Sequence, residues 1–340
     1  MALYGIKLLL LQSYKFNQIK KTMTKSNSKS IKVVQFTHPG EEHSISQRQI
    51  KAGNMIKAWN TEGHKRKFLH TTGAYVEKGK KTEEKDIYFW GEWEPDSEVS
   101  LIKNPAGKHY PHFIHEPYVQ IDPSGQLIVP KRKIIKDKNG KPKIKIPTNT
   151  DPFVFGKKGF YFSCCKQRSY KTLQKLEKGS LILFGSTINQ NTDDAYFALD
   201  TVFVVGSNHD YNRESYLKKL EDFTPEHYCD IMNFKSWIGN LELTCYQSVN
   251  YASPINGMYS FVPCKIGSKG ENGFERVKLT KDSFQKIRGK EIISNNLNQG
   301  VKYTEVTLEE SFDIWTRLRE IIEDKKQGFK EAVKLNYTEE

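Results

Sequence analysis

The sequence predicts an α+β fold, with a curved, mostly antiparallel sheet or partial barrel, flanking helices and a helical C-terminus. Segments rich in β-branched and aromatic residues recur along the 340 residues, and such segments form strands. They do not alternate regularly with helical segments, which disfavours a doubly wound parallel sheet. A content of 37% hydrophobic and 12% aromatic residues is enough for a packed core and excludes wholesale disorder.

Residues 1–30 are predicted to be a flexible leader, and IKVVQF (31–36) is predicted to be the first strand. The opening MALYGIKLLLLQSYKF has a short apolar run that contains Lys7 and no small-residue cleavage site, so it does not match a signal peptide. Met23 opens a more ordinary start, and we expect residues 1–22 to be dispensable. No run approaches the ~18 apolar residues of a membrane span, so no membrane partner is expected.

Two segments in the next part of the chain predict strands. DIYFWGEWEPDSEV (86–99) alternates aromatic and polar positions, and Pro95 is expected to end the strand. KRKIIKDKNGKPKIKI (131–146) has Asn139-Gly140 between two alternating arms, which predicts a type I′ hairpin. This hairpin holds eight basic residues and one acidic residue, Asp137.

The centre of the chain predicts a turn and an aromatic strand within 149–167, then a short helix over 169–179 that Gly179 closes. Two buried strands follow at 180–186 and 196–207, joined by a polar loop. We expect residues 31–210 to form an α+β core domain that carries the site.

The C-terminal region, residues 211–340, is predicted to be helical and strand-containing and to pack on that core. Its end, residues 307–335, is amphipathic and starts with a capping box of Thr307 and Glu310. The apolar positions of this segment share one helical stripe. They are Leu308, Phe312, Trp315, Leu318 and Ile322.

Charge is the strongest global feature of the composition. The chain has 53 Lys+Arg against 40 Asp+Glu, a net charge of +13, which favours a polyanionic partner, nucleic acid or nucleotide first. A Lys-rich composition without such a partner is the alternative. The five cysteines are odd in number and form no C-x-x-C pair, which fits reduced thiols in a cytoplasm better than a disulfide framework.

Histidine clusters in the N-terminal third, where seven of the nine histidines lie between residues 38 and 115. Histidine is the common general base and metal ligand near neutral pH. His38 and His43 lie in THPGEEH, where Pro39-Gly40 prevents the helix of an H-E-x-x-H motif but suits a tight turn at a strand end. His64 lies in GHKRKFLH. We assign His38, His43 and His64 to a candidate catalytic site; solvated turn residues are the alternative.

Glu92 and Glu94 in YFWGEWEP lie two residues apart on the predicted strand, and therefore on one face. Two carboxylates beside Trp90 can raise a carboxyl pKa or bind a divalent metal. We assign both to the candidate catalytic site and leave the metal unidentified. A solvated sheet face is the alternative.

Basic and aromatic side chains supply candidate nucleic-acid contacts. Arg66 and Lys67 suit phosphate groups, and Trp90 and Trp93 suit stacking on a base. The hairpin adds Lys131, Arg132, Lys133 and Lys141. A solvated basic surface is the alternative.

No Walker loop, G-x-G-x-x-G, G-x-S-x-G or kinase signature occurs, which disfavours the corresponding enzyme classes. As a set, QFTHPGEEH, HKRKF, YFWGEWEP and NTDPFVFG resemble an uncharacterised prokaryotic family of the nucleotide-modification-associated domain type, over residues 33–206. The resemblance implies a context of DNA modification or phage defence. It supplies no catalytic residues that could be carried over to this chain. LEKGSLILFGS…YFALDTVFVV is similar in strand pattern to PUA-like barrels, known families of which bind RNA or modified bases.

Three functions agree with these features. The first is a nucleic-acid- or nucleotide-acting protein with a His- and Glu-rich polar pocket. The second is a non-catalytic reader of modified or flipped bases, which depends on Trp90 rather than on His38. The third is an interaction component of a defence or toxin complex that docks through its C-terminal helices.

Overall fold

The computed structural model describes residues 30–45, 59, 65–131, 133–137, 139–145, 149–163, 165–234, 238, 241–284, 286–287, 289–324 and 327–340. The leader predicted over residues 1–30 lies outside this part of the chain, except for Ser30. Residues 31–340 form one compact unit of mixed α+β structure in which strands outnumber helices.

Strands dominate both halves of the unit. They are β1 (Ile31–Thr37), β2 (Lys67–Glu77), β3 (Lys80–Lys81), β4 (Lys85–Gly91), β5 (Ser97–Leu101), β6 (Phe113–Val119), β7 (Lys133–Lys136), β8 (Pro142–Lys145), β9 (Tyr161–Phe162), β10 (Leu181–Ile188), β11 (Tyr196–Tyr211), β12 (Leu243–Ser248), β13 (Val262–Ile266), β14 (Val277–Leu279), β15 (Lys286–Ile287), β16 (Lys290–Glu291), β17 (Gly300–Val306), β18 (Lys330–Leu335) and β19 (Thr338–Glu339). The α-helices are Tyr216–Leu220, Tyr228–Ile231, Ser268–Glu271, Lys281–Phe284 and Leu308–Glu323, and the 3-10 helices are Cys165–Arg168 and Lys171–Gln174.

The first sheet has the strand order β17-β1-β10-β11-β12-β9, and β14 pairs with β11. The predicted strands at 31–36, 180–186 and 196–207 are confirmed as β1, β10 and β11. β10 and β11 are antiparallel neighbours, whereas β1 lies parallel to β10 and antiparallel to β17. Strands from the C-terminal region therefore complete a sheet that begins at residue 31.

The second sheet contains a closed ring of four strands. β18 pairs with β13, β13 with β4, β4 with β2, and β2 again with β18, each time antiparallel. The ring confirms the predicted curved sheet and partial barrel. β6 extends this sheet beside β2 and also pairs with β5 and with β19.

The sequence also predicts the C-terminal helix and its start. Thr307 and Glu310 form the capping box in both directions, which satisfies two backbone N–H groups at the start of the helix. Trp315, Leu318 and Ile322 are buried, as the apolar stripe predicts. The amphipathic segment does not stay helical throughout, because its last residues, 330–335, form β18 of the ring.

Two further predictions need correction. The strand expected to run from residue 86 to Pro95 ends at Gly91, so Glu92 and Glu94 lie in an irregular segment rather than on one strand face. The helix expected over 169–179 is only a 3-10 turn at Lys171–Gln174.

The basic hairpin predicted over 131–146 is confirmed as β7 and β8, but its turn differs from the predicted one. The Gly140 N–H donates to the Asp137 carbonyl oxygen (2.9 Å), and the Asp137 N–H donates to the Lys141 carbonyl oxygen (2.8 Å). Gly140 has a φ of +76°. The turn is therefore closed between Asp137 and Gly140, instead of being centred on Asn139-Gly140 as a type I′ turn requires.

We expect Gly73→Ala to destabilise the ring where β2 meets β18. A Cβ at Gly73 would collide with the Lys334 carbonyl oxygen of β18 and lie 3.0 Å from Ile87 Cδ1. Such overpacking costs about 1–3 kcal/mol in the free energy of unfolding. Gly107→Ala is the matched control, because its nearest neighbouring atom is 3.4 Å away in a loop. Urea unfolding measures both variants, and equal losses would contradict this account.

Candidate functional site

Five ionisable side chains meet in the interior where strand ends of both sheets come together. His38 directly follows β1, Arg66 directly precedes β2, and Glu92 directly follows β4. Asp200 lies within β11, and Arg276 directly precedes β14. His38, Arg66, Glu92 and Asp200 are each at most 5% exposed, and the Arg276 side chain is 8% exposed. We call these five residues the core ion network.

Charges alternate in sign along the core ion network. The Arg66 guanidinium donates to Glu92 Oε2, and its other terminal nitrogen lies 3.6 Å from Asp200 Oδ2. Arg276 Nη1 lies 3.6 Å from Asp200 Oδ1. Burial raises the pKa of the Asp200 carboxyl, and the two guanidinium groups oppose that rise. Each buried charge therefore depends on a neighbour of opposite sign.

Arg276 is fixed from several sides. It donates to Ser186 Oγ (2.9 Å) and to the Gly40 carbonyl oxygen (2.9 Å). Its guanidinium carbon lies 5.3 Å from the centroid of the Trp90 ring, a cation–π contact. The Trp90 Nε1–H donates to the Phe274 carbonyl oxygen (2.7 Å). Arg276 thus links the loop after β1 to the core ion network.

His38 stands at the other end of the network. Its Nε2 lies 4.0 Å from Glu92 Oε2, and its ring packs edge-on against Phe36, with centroids 4.6 Å apart. The sequence predicts His38, Arg66 and Glu92 as site residues from three separate motifs. The structure brings these three side chains together.

Lys67 and the carboxylates around it form a second buried cluster of ionisable side chains, next to the core ion network. The Lys67 ammonium donates to the Trp93 carbonyl oxygen. Burial lowers the pKa of Lys67, while the nearby carboxylates of Glu94, Asp96 and Glu92 oppose that change. The Glu94 backbone N–H donates to Thr150 Oγ1 (3.1 Å). Glu94 is thus held near Lys67 through the irregular segment, without the strand face that its spacing suggested.

His43 and His115 lie beside this second cluster. Their ring centroids are 6.1 Å apart. His115 is 1% exposed, and neither of its ring nitrogens has a hydrogen-bond partner in the described part of the chain. Burial lowers the pKa of His115 well below 6.5, and the charges of Lys67 and His43 lower it further. His115 is therefore held as a neutral imidazole.

The loop 37–43 is tied to the second sheet. The Arg66 N–H donates to the Glu41 carbonyl oxygen (2.9 Å), and the His43 N–H donates to the Arg66 carbonyl oxygen (2.8 Å). The Glu42 carboxylate accepts from the backbone N–H of His112 (2.9 Å) and of Phe113 (3.1 Å). The loop is thus an ordered element and not a solvated turn.

Two surface grooves border these residues. Pro39, Gly40 and Glu41 line a groove of 500 Å³ together with His109, Asn189 and Gln299. Arg276 lines a second groove of 770 Å³, which also contains Lys265 and Phe274. Arg276 therefore joins a surface groove to the core ion network.

The other residues predicted for the site are buried, lie on the β7–β8 hairpin or lie outside the described residues. Trp93 is fully buried against Phe155, with ring centroids 4.8 Å apart, and Arg276 covers one face of Trp90. A base would have to displace these groups to stack on either ring. His64 and Arg132 lie outside the described residues. Lys131 and Lys141 are exposed, and Lys133 begins β7.

Asp200, Arg276 and His115 were not assigned to the site from the sequence. Asp200 carries a detectable signal, because it is the one charged residue inside the apolar run YFALDTVFVV, and a charge buried in a strand requires a partner. His115 belongs to the histidine cluster of residues 38–115, whereas Arg276 carries no comparable signal. Among the described residues, no group of three or more His, Cys, Asp or Glu side chains is arranged to hold a metal ion.

No protein-family model matches the chain, and neither a curated protein nor a solved structure matches it. The family resemblance of the motif set therefore stays a prediction.

Within the described residues, no helix is both long and apolar enough to span a membrane. Cys229, Cys245 and Cys264 are free thiols.

We expect Arg66→Met to cost about 3–5 kcal/mol of unfolding free energy, because it leaves two buried carboxylates without this guanidinium. Lys65→Met is the matched control. It breaks the exposed ion pair between Lys65 and Glu41 (3.2 Å), which is worth less than about 1 kcal/mol. Chemical denaturation measures both, and Arg66→Lys, which keeps the charge, should fall between them. Similar losses for Arg66→Met and Lys65→Met would contradict a buried network.

We expect stability to fall as the pH drops below about 6.5, partly through His115. Its folded pKa lies below its ordinary value, so the unfolded chain binds the proton more readily, and the stability present above pH 6.5 is lost on acidification. One such proton contributes at most about 1.4 kcal/mol per pH unit. His115→Leu should flatten the pH profile of the unfolding free energy, and an unchanged profile in this variant would contradict the account.

Proposed function

We propose that the protein binds nucleic acid and that the β7–β8 hairpin, here called the arm (residues 131–145), is its main phosphate-contacting element. The observation that carries the proposal is that the two strands of the arm belong to neither of the two large sheets. β7 and β8 form a two-stranded sheet of their own and pair with no other strand of the described chain. The arm's sequence holds eight basic residues and one acidic residue, which favours contact with phosphates.

Three lysines of the arm are available at the surface. Lys131, Lys136 and Lys141 are exposed. The single carboxylate, Asp137, is used within the turn, because its Oδ1 accepts from the backbone N–H of Asn139 (2.8 Å) and of Lys141 (2.9 Å). The acidic residue therefore stabilises the turn of the arm.

The proposal places phosphate contact on the arm and not on Arg66 or Lys67. Both of those cations are buried and paired, and they serve the interior. A role in DNA modification or phage defence, and a cytoplasmic location, belong to the same proposal. The motif resemblance, the PUA-like strand pattern and the free thiols support them.

We expect Lys136→Gln/Lys141→Gln to weaken binding to labelled oligonucleotides in fluorescence anisotropy. The slope of log affinity against log salt should become shallower by roughly 2, because about one counterion is released for each lysine–phosphate contact. Lys103→Gln/Lys218→Gln is the control, since it removes the same charge from exposed positions outside the arm. An equal loss of affinity in the two double variants would mean that binding depends on net charge and not on the arm. No binding at low salt would refute the proposal.

A further inference from the structure

We infer that the partner of the arm is double-stranded DNA, which the arm enters through the major groove. This inference rests on the proposed function and names its substrate class. It follows from the dimensions of the arm, from the distribution of aromatic side chains and from the pairing register of β7 and β8.

The arm has the dimensions of a groove-binding ribbon. Each strand has four residues, a length of about 13 Å at the usual rise per residue. The major groove of B-form DNA is about 12 Å wide and admits a two-stranded β-ribbon. The deep, narrow major groove of an RNA duplex does not admit side chains in this way. A basic two-stranded ribbon therefore fits DNA in preference to duplex RNA.

The arm lacks the side chains that a single-stranded partner requires. Proteins that bind single strands without sequence preference stack the bases on aromatic rings. Residues 131–145 contain no aromatic residue. Trp59, Trp90, Trp93 and Trp315 are buried, and the exposed aromatic residues Tyr170, Tyr303 and Phe312 lie outside residues 131–145. Trp237 lies outside the described residues. Phosphate contact along a helical groove is the mode of binding that such an arm can supply.

The register divides the arm into two different faces. Ile134 and Lys136 lie two residues apart on β7, and Lys136 pairs with Pro142, so these three positions share one face. Ile134 is 76% exposed, which is unusual for an isoleucine that has no binding partner. Base edges in the major groove present the thymine methyl group to apolar side chains, and guanine N7 and O6 to lysine. The face that carries Ile134 and Lys136 matches this pattern.

The test measures the affinity of the full chain for three labelled probes of one sequence: a DNA duplex, one of its single strands and the corresponding RNA duplex. A salt series is recorded for each probe. We expect the DNA duplex to bind at least about tenfold more tightly than the other two, because only its major groove admits the ribbon. Ile134→Ala should reduce this preference, whereas Leu217→Ala, at another exposed apolar position, should not.

Methylation of guanine N7 reports on the groove directly, because this atom lies in the major groove. Bound wild-type protein should protect guanines that the Lys136→Gln/Lys141→Gln variant leaves reactive. Equal or tighter binding of the single strand, or duplex binding without N7 protection, would overturn the inference while the proposed function stands. Binding to none of the three probes would overturn both.

Discussion

The pairing of Arg66 with Glu92 and Asp200 is the interaction on which the rest of the interior depends. Burial of ionised groups costs several kcal/mol per ion unless partners and hydrogen bonds compensate. Arg66 and Glu92 flank β2 and β4 of the ring, whereas Asp200 lies in β11 of the first sheet. The network can form only when strand ends of both sheets are in place, so it makes the relative position of these strands specific.

The same constraint explains why several predicted site residues are not at the surface. A cation beside a strand looks, from the sequence, like a phosphate contact. Arg66 instead neutralises carboxylates from residues 92 and 200, a pairing that no local pattern can show. Lys67 likewise donates to a carbonyl oxygen inside the fold. Lys131, Lys136 and Lys141 of the arm, in contrast, keep their charge exposed.

Local patterns in the sequence predicted the fold well wherever the structure itself is local. β-branched runs gave β1, β10 and β11, and the capping box gave the start of the C-terminal helix. The two-residue spacing of Glu92 and Glu94 led to the wrong prediction that both lie on one strand face. Side chains alternate between the two faces only while a strand continues, and β4 ends at Gly91. β18 was missed because its residues continue an amphipathic pattern, and only pairing with β2 and β13 makes them a strand.

The closed ring of β2, β4, β13 and β18 also bears on how the chain folds during synthesis. β2 pairs with β18, residues 330–335, so the ring cannot close until these residues have left the ribosome. Contacts so distant in sequence make folding slow and expose unpaired strand edges in the meantime. The nascent chain therefore presents the edges of β2 and β4 that β18 and β13 later cover, and chaperone protection matters during this period.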